Sequence, residues 1–171
     1  MCDARTMPRP MRVSDSIEIA AEPAAIYREI ADPSNMRRWS PENLGTRDDA
    51  RGPLSVGDEF VGRNRRGPAR WSTSCTVTAA DPGERFAFRV HKIGVVRPLL
   101  KAPIATWEYT FEEVGPGRTK VTETWQDDRA SWPDARAARF DKVVTGGRRF
   151  HEFQAGNIRR TLARLKSDLE S

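Results

Sequence analysis

Apolar and polar residues alternate along most of the chain, and near its end the period lengthens from two to about 3.6. Over residues 140–169, Val144, His151, Ala155, Ile158, Leu162, Leu165 and Leu169 recur at spacings of three, four and seven. At about 100° per residue they share one side of a helix. Lys142, Arg149, Arg160 and Arg164 take the other side, where Phe153 also falls. An amphipathic helix of this kind needs a surface to cover its apolar stripe. Gly146-Gly147 interrupts or kinks it, so the main helix is expected from about residue 147 to 169.

The upstream chain reads as that surface. Residues 13–20 alternate around Val13, Ile17 and Ile19 and predict a half-buried strand. Pro23 opens a helix with Ile26, Tyr27 and Ile30 on its buried side. Asp32 is placed to cap a second short helix that carries Met36 and Trp39 and ends at Ser40-Pro41. A short strand fits residues 44–47. Clearer strands follow at 58–65, 70–80, 84–91, 105–113 and 118–126. Asp81-Pro82-Gly83 has Pro and Gly where a type II turn requires them. Ser131 is placed to cap a helix starting at Pro133, with Asp134 completing a weak capping box. The connections are short, so the sheet is expected to be antiparallel.

Residues 92–103 break the alternation. Val95, Val96, Leu99, Leu100 and Ile104 are apolar, while Gly94, Pro98 and Pro103 exclude a regular pattern. The stretch is expected at a cavity mouth, as a lid, or at a dimer contact, because so many apolar side chains need a reason to stay wet.

Composition narrows the class. At 171 residues there is room for one domain with a real core. No apolar run reaches the roughly 20 residues of a membrane span. Residues 1–11 lack the apolar stretch of a secretion signal and are expected to be a disordered lead-in to a single domain at 12–171. Cys2 and Cys75 cannot build a framework of disulfides, and free thiols point to a cytoplasmic protein. Lys and Arg number 29 against 24 Asp and Glu. Acidic residues interrupt the basic ones, so a solvated Arg-rich surface is the expected reading and nucleic acid is not the expected partner.

The order of elements and three stretches carry a resemblance. SIEIAAEPAAIYREIADPSNMRRW at 16–39, PIATWEYTF at 103–111 and GPGRTKVTETW at 115–125 resemble the START and polyketide cyclase/dehydrase superfamily, which includes pollen allergens and coenzyme Q-binding proteins. The resemblance covers nearly everything from Val13 onward. It implies an α+β helix-grip fold: six to seven antiparallel strands curved around a long C-terminal helix, with two short helices after the first strand. It also implies a cavity between sheet and helix for a hydrophobic or amphipathic small molecule. It supplies no universal catalytic motif to transfer onto these residues.

Candidate chemistry is sparse. No phosphate loop, zinc pattern or nucleophile elbow occurs, and no cofactor or metal is expected. Trp71, Trp107, Tyr109, Phe111 and Trp125 fall on inward strand faces, as cavity wall or ordinary core. Trp39, Thr73, Phe88 and Gln154 complete the ligand-binding candidates. Glu123 shares a strand face with Val121 and Trp125, and His151 lies on the helix stripe. A buried carboxylate is costly unless paired. The two are therefore acid/base candidates, or else an ion-paired Glu and a core His.

Three functions stay open: a carrier or sensor of a lipid, quinone or polyketide-like molecule; a polyketide cyclase, aromatase or dehydratase; and an antitoxin-like or ribosome-associated module using the basic surface. Either a monomer or a homodimer fits.

Overall fold

The computed structural model describes residues 9–47 and 52–171. Cys2, in the expected lead-in, lies outside the described residues. The alternating stretches form one curled antiparallel sheet of seven strands: β1 (Arg12–Ile19), β2 (Asn43–Thr46), β3 (Glu59–Arg66), β4 (Ala69–Asp81), β5 (Arg85–Gly94), β6 (Leu100–Gly115) and β7 (Arg118–Asp127). Their order is β1-β7-β6-β5-β4-β3-β2, so β2 to β7 form a meander and β1 joins it beside β7. The sheet wraps its apolar face around the C-terminal part of the chain, as expected.

Between β1 and β2 lie helix α1 (Pro23–Ile30) and a 3-10 turn (Pro33–Arg38). Tyr27 of α1 packs edge-on against Phe86 and Phe111, at 6.0 Å between centroids for the latter. α1 thereby closes the concave face at the end where β4 turns into β5. The predicted cap forms: Asp32 Oδ1 accepts from Ser34 N at 3.0 Å, and Oδ2 accepts from Gly52 N at 2.8 Å. Asp32→Ala is expected to cost about 1 kcal/mol, which a urea unfolding curve will read as a lower midpoint with unchanged slope.

The run predicted over residues 140–169 is two helices, α2 (Asp134–Thr145) and α3 (Phe150–Leu169). Gly146 at φ 68° and Gly147 at φ 101° separate them, in the left-handed region that side chains disfavour. The break resets the helical phase. Ile158, Leu162 and Leu165 are buried as predicted, but Phe150, Phe153, Gln154, Asn157 and Thr161 are buried with them. Phe153 does not face solvent: the Arg66 guanidinium lies 3.9 Å from its ring centroid and covers it. Ser131 does not cap α2, whose N-cap is Pro133 with no side-chain bond. The far end of α3 is tied to β1 by Lys166 Nζ donating to Glu18 O at 2.7 Å and Ala20 N donating to Glu170 Oε1 at 2.8 Å.

Residues 92–103 are more regular than expected. β5 runs to Gly94 and β6 starts at Leu100, leaving only a tip between them. Gly94 is required there, since a Cβ would meet Arg97 O at 1.9 Å. Pro103 is tolerated within β6 because the register shifts between Val90 and Lys92, which leaves a bulge where ladder bonds are not needed. Among the described residues, no helix is long and apolar enough to cross a membrane.

Candidate functional site

The concave face of the sheet, the 3-10 turn, α2 and α3 enclose a cavity of about 150 Å³. The strands deliver its wall by alternation: Trp71, Thr73 and Cys75 from β4, Phe88 and Val90 from β5, Trp107 and Tyr109 from β6, Glu123 and Trp125 from β7. Trp39 enters from the end of the 3-10 turn, and Phe150, Gln154, Asn157 and Thr161 enter from one side of α3.

Nine of the ten candidate site residues therefore meet in one place. His151 is the exception. It sits half-buried on the flank of α3, its Nε2 4.0 Å from Glu152 Oε1, and does not line the cavity. His151 falls at the edge of the buried side of α3, which runs through Phe150, Gln154, Asn157 and Thr161. Phe111 takes the other of its two alternatives, ordinary core, and packs on Tyr27.

Glu123 is the chemical centre of the cavity. It faces Tyr109 across the β6–β7 ladder, and the Tyr109 hydroxyl donates to Glu123 Oε1 at 3.0 Å. The carboxyl is 2 % exposed. Burial with no cation beside it pushes its pKa up to about 8, and the Tyr109 bond pulls back only part of that. Burial and the neighbouring carboxyl likewise raise the Tyr109 phenol well above its usual range. At neutral pH the pair is a carboxylic acid beside a phenol, both uncharged.

Three buried polar atoms of the cavity residues lack a hydrogen-bond partner among the described residues: Glu123 Oε2, Trp125 Nε1 and Gln154 Oε1. Buried polar groups are nearly always paired, so three at one cavity is a concentration that calls for a reason.

The mouth is polar. Glu42 accepts from Arg66 Nε at 2.5 Å and from Asn157 Nδ2 at 3.3 Å, and Arg160 donates to Asn157 Oδ1 at 2.6 Å. Arg66 also donates to Val144 O and lies 5.4 Å from the Trp71 centroid. One side chain thus links β3, the segment before β2, and both helices.

Behind the wall is a cluster that hydrophobic periodicity gave no hint of. Arg129 is fully buried, donating through Nε and a terminal nitrogen to Asp127 at 2.9 and 2.8 Å and to Asp141 at 2.7 Å. Phe140 and Phe150, both cavity residues, pack on its guanidinium at 5.2 and 4.8 Å. Arg9 donates to the Arg129 carbonyl at 2.8 Å and so holds the start of the described chain against it.

Nucleophilic and metal chemistry find little support. Cys75 lines the cavity, but burial pushes its thiol up to about 12, leaving no thiolate at neutral pH. His91 is bonded to Thr76 at 2.8 Å and lies beside Glu59, away from the cavity. Among the described residues no group of three or more His, Cys, Asp or Glu is arranged to hold a metal ion.

Residues 10–170 match the family described as polyketide cyclase / dehydrase and lipid transport. The chain belongs to that family. It is 31% identical over 159 residues to the uncharacterized protein Rv0088 of Mycobacterium tuberculosis, a match covering 91% of this chain and 63% of that protein. The chain thus spans under two thirds of the length of this curated relative. The polyketide-cyclase-like protein Cgl2372 of Corynebacterium glutamicum is 26% identical with a TM-score of 0.57, over 96% of this chain and 94% of that one. BexL, a di-domain aromatase/cyclase from the BE-7585A biosynthetic pathway, shares the fold at 16% identity and a TM-score of 0.63, with 94% of this chain on 47% of that one. The helix-grip fold implied by the sequence resemblance is therefore the fold of this family member.

Proposed function

We propose that this family member binds a compact, largely apolar molecule with a hydrogen-bond acceptor and a donor, held in the cavity between sheet and α3. The observation that carries the reading is that Glu123, Trp125 and Gln154, each with a buried polar atom left without a partner among the described residues, line one aromatic cavity. An indole N–H and a protonated carboxyl both offer a proton to a carbonyl or hydroxyl oxygen, while the Gln154 oxygen accepts from a hydroxyl. A volume of about 150 Å³ suits one or two rings. A longer lipid, quinone or polyketide fits only if its remainder passes the Arg66 mouth.

The test is a tryptophan-fluorescence titration with 1-naphthol, since four of the five tryptophans line the cavity. Saturable quenching is expected. Ala105→Phe fills the cavity from a buried position and is expected to abolish it. Glu123→Leu removes one anchor and is expected to weaken binding about tenfold. Equal affinities in all three proteins contradict the reading.

A second reading, an aromatase, cyclase or dehydratase, is favoured by Glu123 itself. A carboxyl that titrates near 8 with one oxygen free is suited to deliver and recover a proton at neutral pH. Under this reading Glu123→Gln keeps affinity for a polyketide-like substrate and loses turnover, whereas a carrier shows no turnover in either protein.

A further inference from the structure

The end of the sheet opposite α1 carries an apolar tip ringed by cations. Between β5 and β6, Val95, Val96, Leu99 and Leu100 are 78%, 69%, 81% and 63% exposed. They do not line the cavity, so of the sequence alternatives the lid is not formed. The tip is held rather than loose: Ser72 Oγ and Arg47 both donate to Val96 O at 3.3 Å, and Gly94 sits tight against Arg97. Four large aliphatic side chains on one anchored turn form an exposed patch that asks for a partner.

The charge around the patch says which one. Lys92, Arg97 and Lys101 flank the tip, and residues 90–104 contain no Asp or Glu. Ser72 pairs with Gly94, and Arg66 with Ala69, so the β3–β4 turn with exposed Arg65 and Arg70 lies at the same end. We infer that this end of the molecule docks on an anionic lipid surface, with the aliphatic tip entering the acyl boundary and the Lys and Arg side chains at the headgroups. Apolar residues flanked by cations are what such an interface rewards on both counts. A second copy of the chain is disfavoured, because joining two tips would bring two sets of cations together. Nucleic acid would use the cations and leave the aliphatic residues wet.

The placement also gives the site an approach. Val90 and Ile93 on the same strand line the cavity, and Arg66 and Trp71 at its mouth lie at the same end. Docking would set the mouth against the lipid. The docking surface itself does not depend on the proposed ligand, and the naphthol titration tests that separately.

The experiment is sedimentation of the full chain with vesicles of phosphatidylcholine alone and of phosphatidylcholine mixed with phosphatidylglycerol. Binding is expected to the mixed vesicles only and to fall with added salt. Replacing Val95, Val96, Leu99 and Leu100 together by Ser is expected to abolish it, with circular dichroism unchanged because these side chains are exposed. Arg97→Gln and Lys101→Gln are each expected to lower partitioning about fivefold. The inference is overturned if the native protein stays in solution with anionic vesicles, or if the four-Ser variant binds them equally. A dimer that depends on the tip, without vesicle binding, overturns it as well.

Discussion

Replacing Arg129 with Met is expected to lower the unfolding free energy by about 3–5 kcal/mol. The guanidinium is fully enclosed and answers two carboxylates, Asp127 at 2.8 Å and Asp141 at 2.7 Å, whose side chains are themselves 1% and 12% exposed. Methionine fills much of the volume, so the loss comes from leaving Asp141 without its counter-charge and Asp127 with only Arg9, 3.6 Å away. That is a large share of the roughly 5–15 kcal/mol that holds a domain of this kind. The triple variant Asp127→Leu, Arg129→Met, Asp141→Leu removes the charges with their partner and is expected to recover much of the loss. Urea unfolding of both variants checks this. A drop below about 1 kcal/mol in the single variant would mean that the cluster contributes little. Phe140 and Phe150 rest on the same guanidinium, so the single variant is also expected to bind 1-naphthol more weakly.

Glu123→Gln is expected to remove a pH dependence of comparable size. In the unfolded chain this carboxyl titrates near its ordinary 4.5, and in the folded chain near 8. Between those values the folded state holds one more proton. Stability from this group is therefore complete below about pH 4.5, falls as pH rises through the window, and levels off above about 8. The full excursion is of the order of 5 kcal/mol. Glutamine cannot ionise and still offers Tyr109 an acceptor. The variant is thus expected to match the native protein near pH 4.5 and to exceed it increasingly toward pH 8.5. Ion-paired carboxylates elsewhere follow the opposite slope, so the informative quantity is the difference between the two proteins at each pH. A constant difference would show that Glu123 is not held neutral by burial.

The sheet and the inward facing of Glu123 and Tyr109 were legible because strand parity is local. On a period of two, Tyr109 and Glu123 must each face the side that Trp107 and Trp125 face. The helix was only half legible. Ile158, Leu162 and Leu165 announce themselves as apolar. Asn157 and Thr161 are polar and add nothing to an apolar period, although with Phe150 and Gln154 they form the side of α3 that meets the cavity. A polar stripe that lines a cavity is invisible to a search for apolar residues. His151 was misplaced because the stripe was drawn through the apolar residues alone, whereas the buried side of α3 centres nearer Phe150, Asn157 and Thr161 and leaves His151 at its edge. Arg129 gave no signal at all. It sits in the irregular stretch after β7, where no period applies, and its partners are 2 and 12 positions away along the chain.

The measurement closest to the central claim is the indole N–H region of a ¹H–¹⁵N spectrum during titration with 1-naphthol. The five tryptophans give five probes, of which Trp39, Trp71, Trp107 and Trp125 line the cavity and Trp132 does not. Trp125 Nε1–H, buried and without a partner among the described residues, is expected to move furthest and downfield as it gains an acceptor, while Trp132 stays still. An unmoved Trp125 at saturation, or a shift shared equally with Trp132, would contradict a ligand site built on Glu123, Trp125 and Gln154.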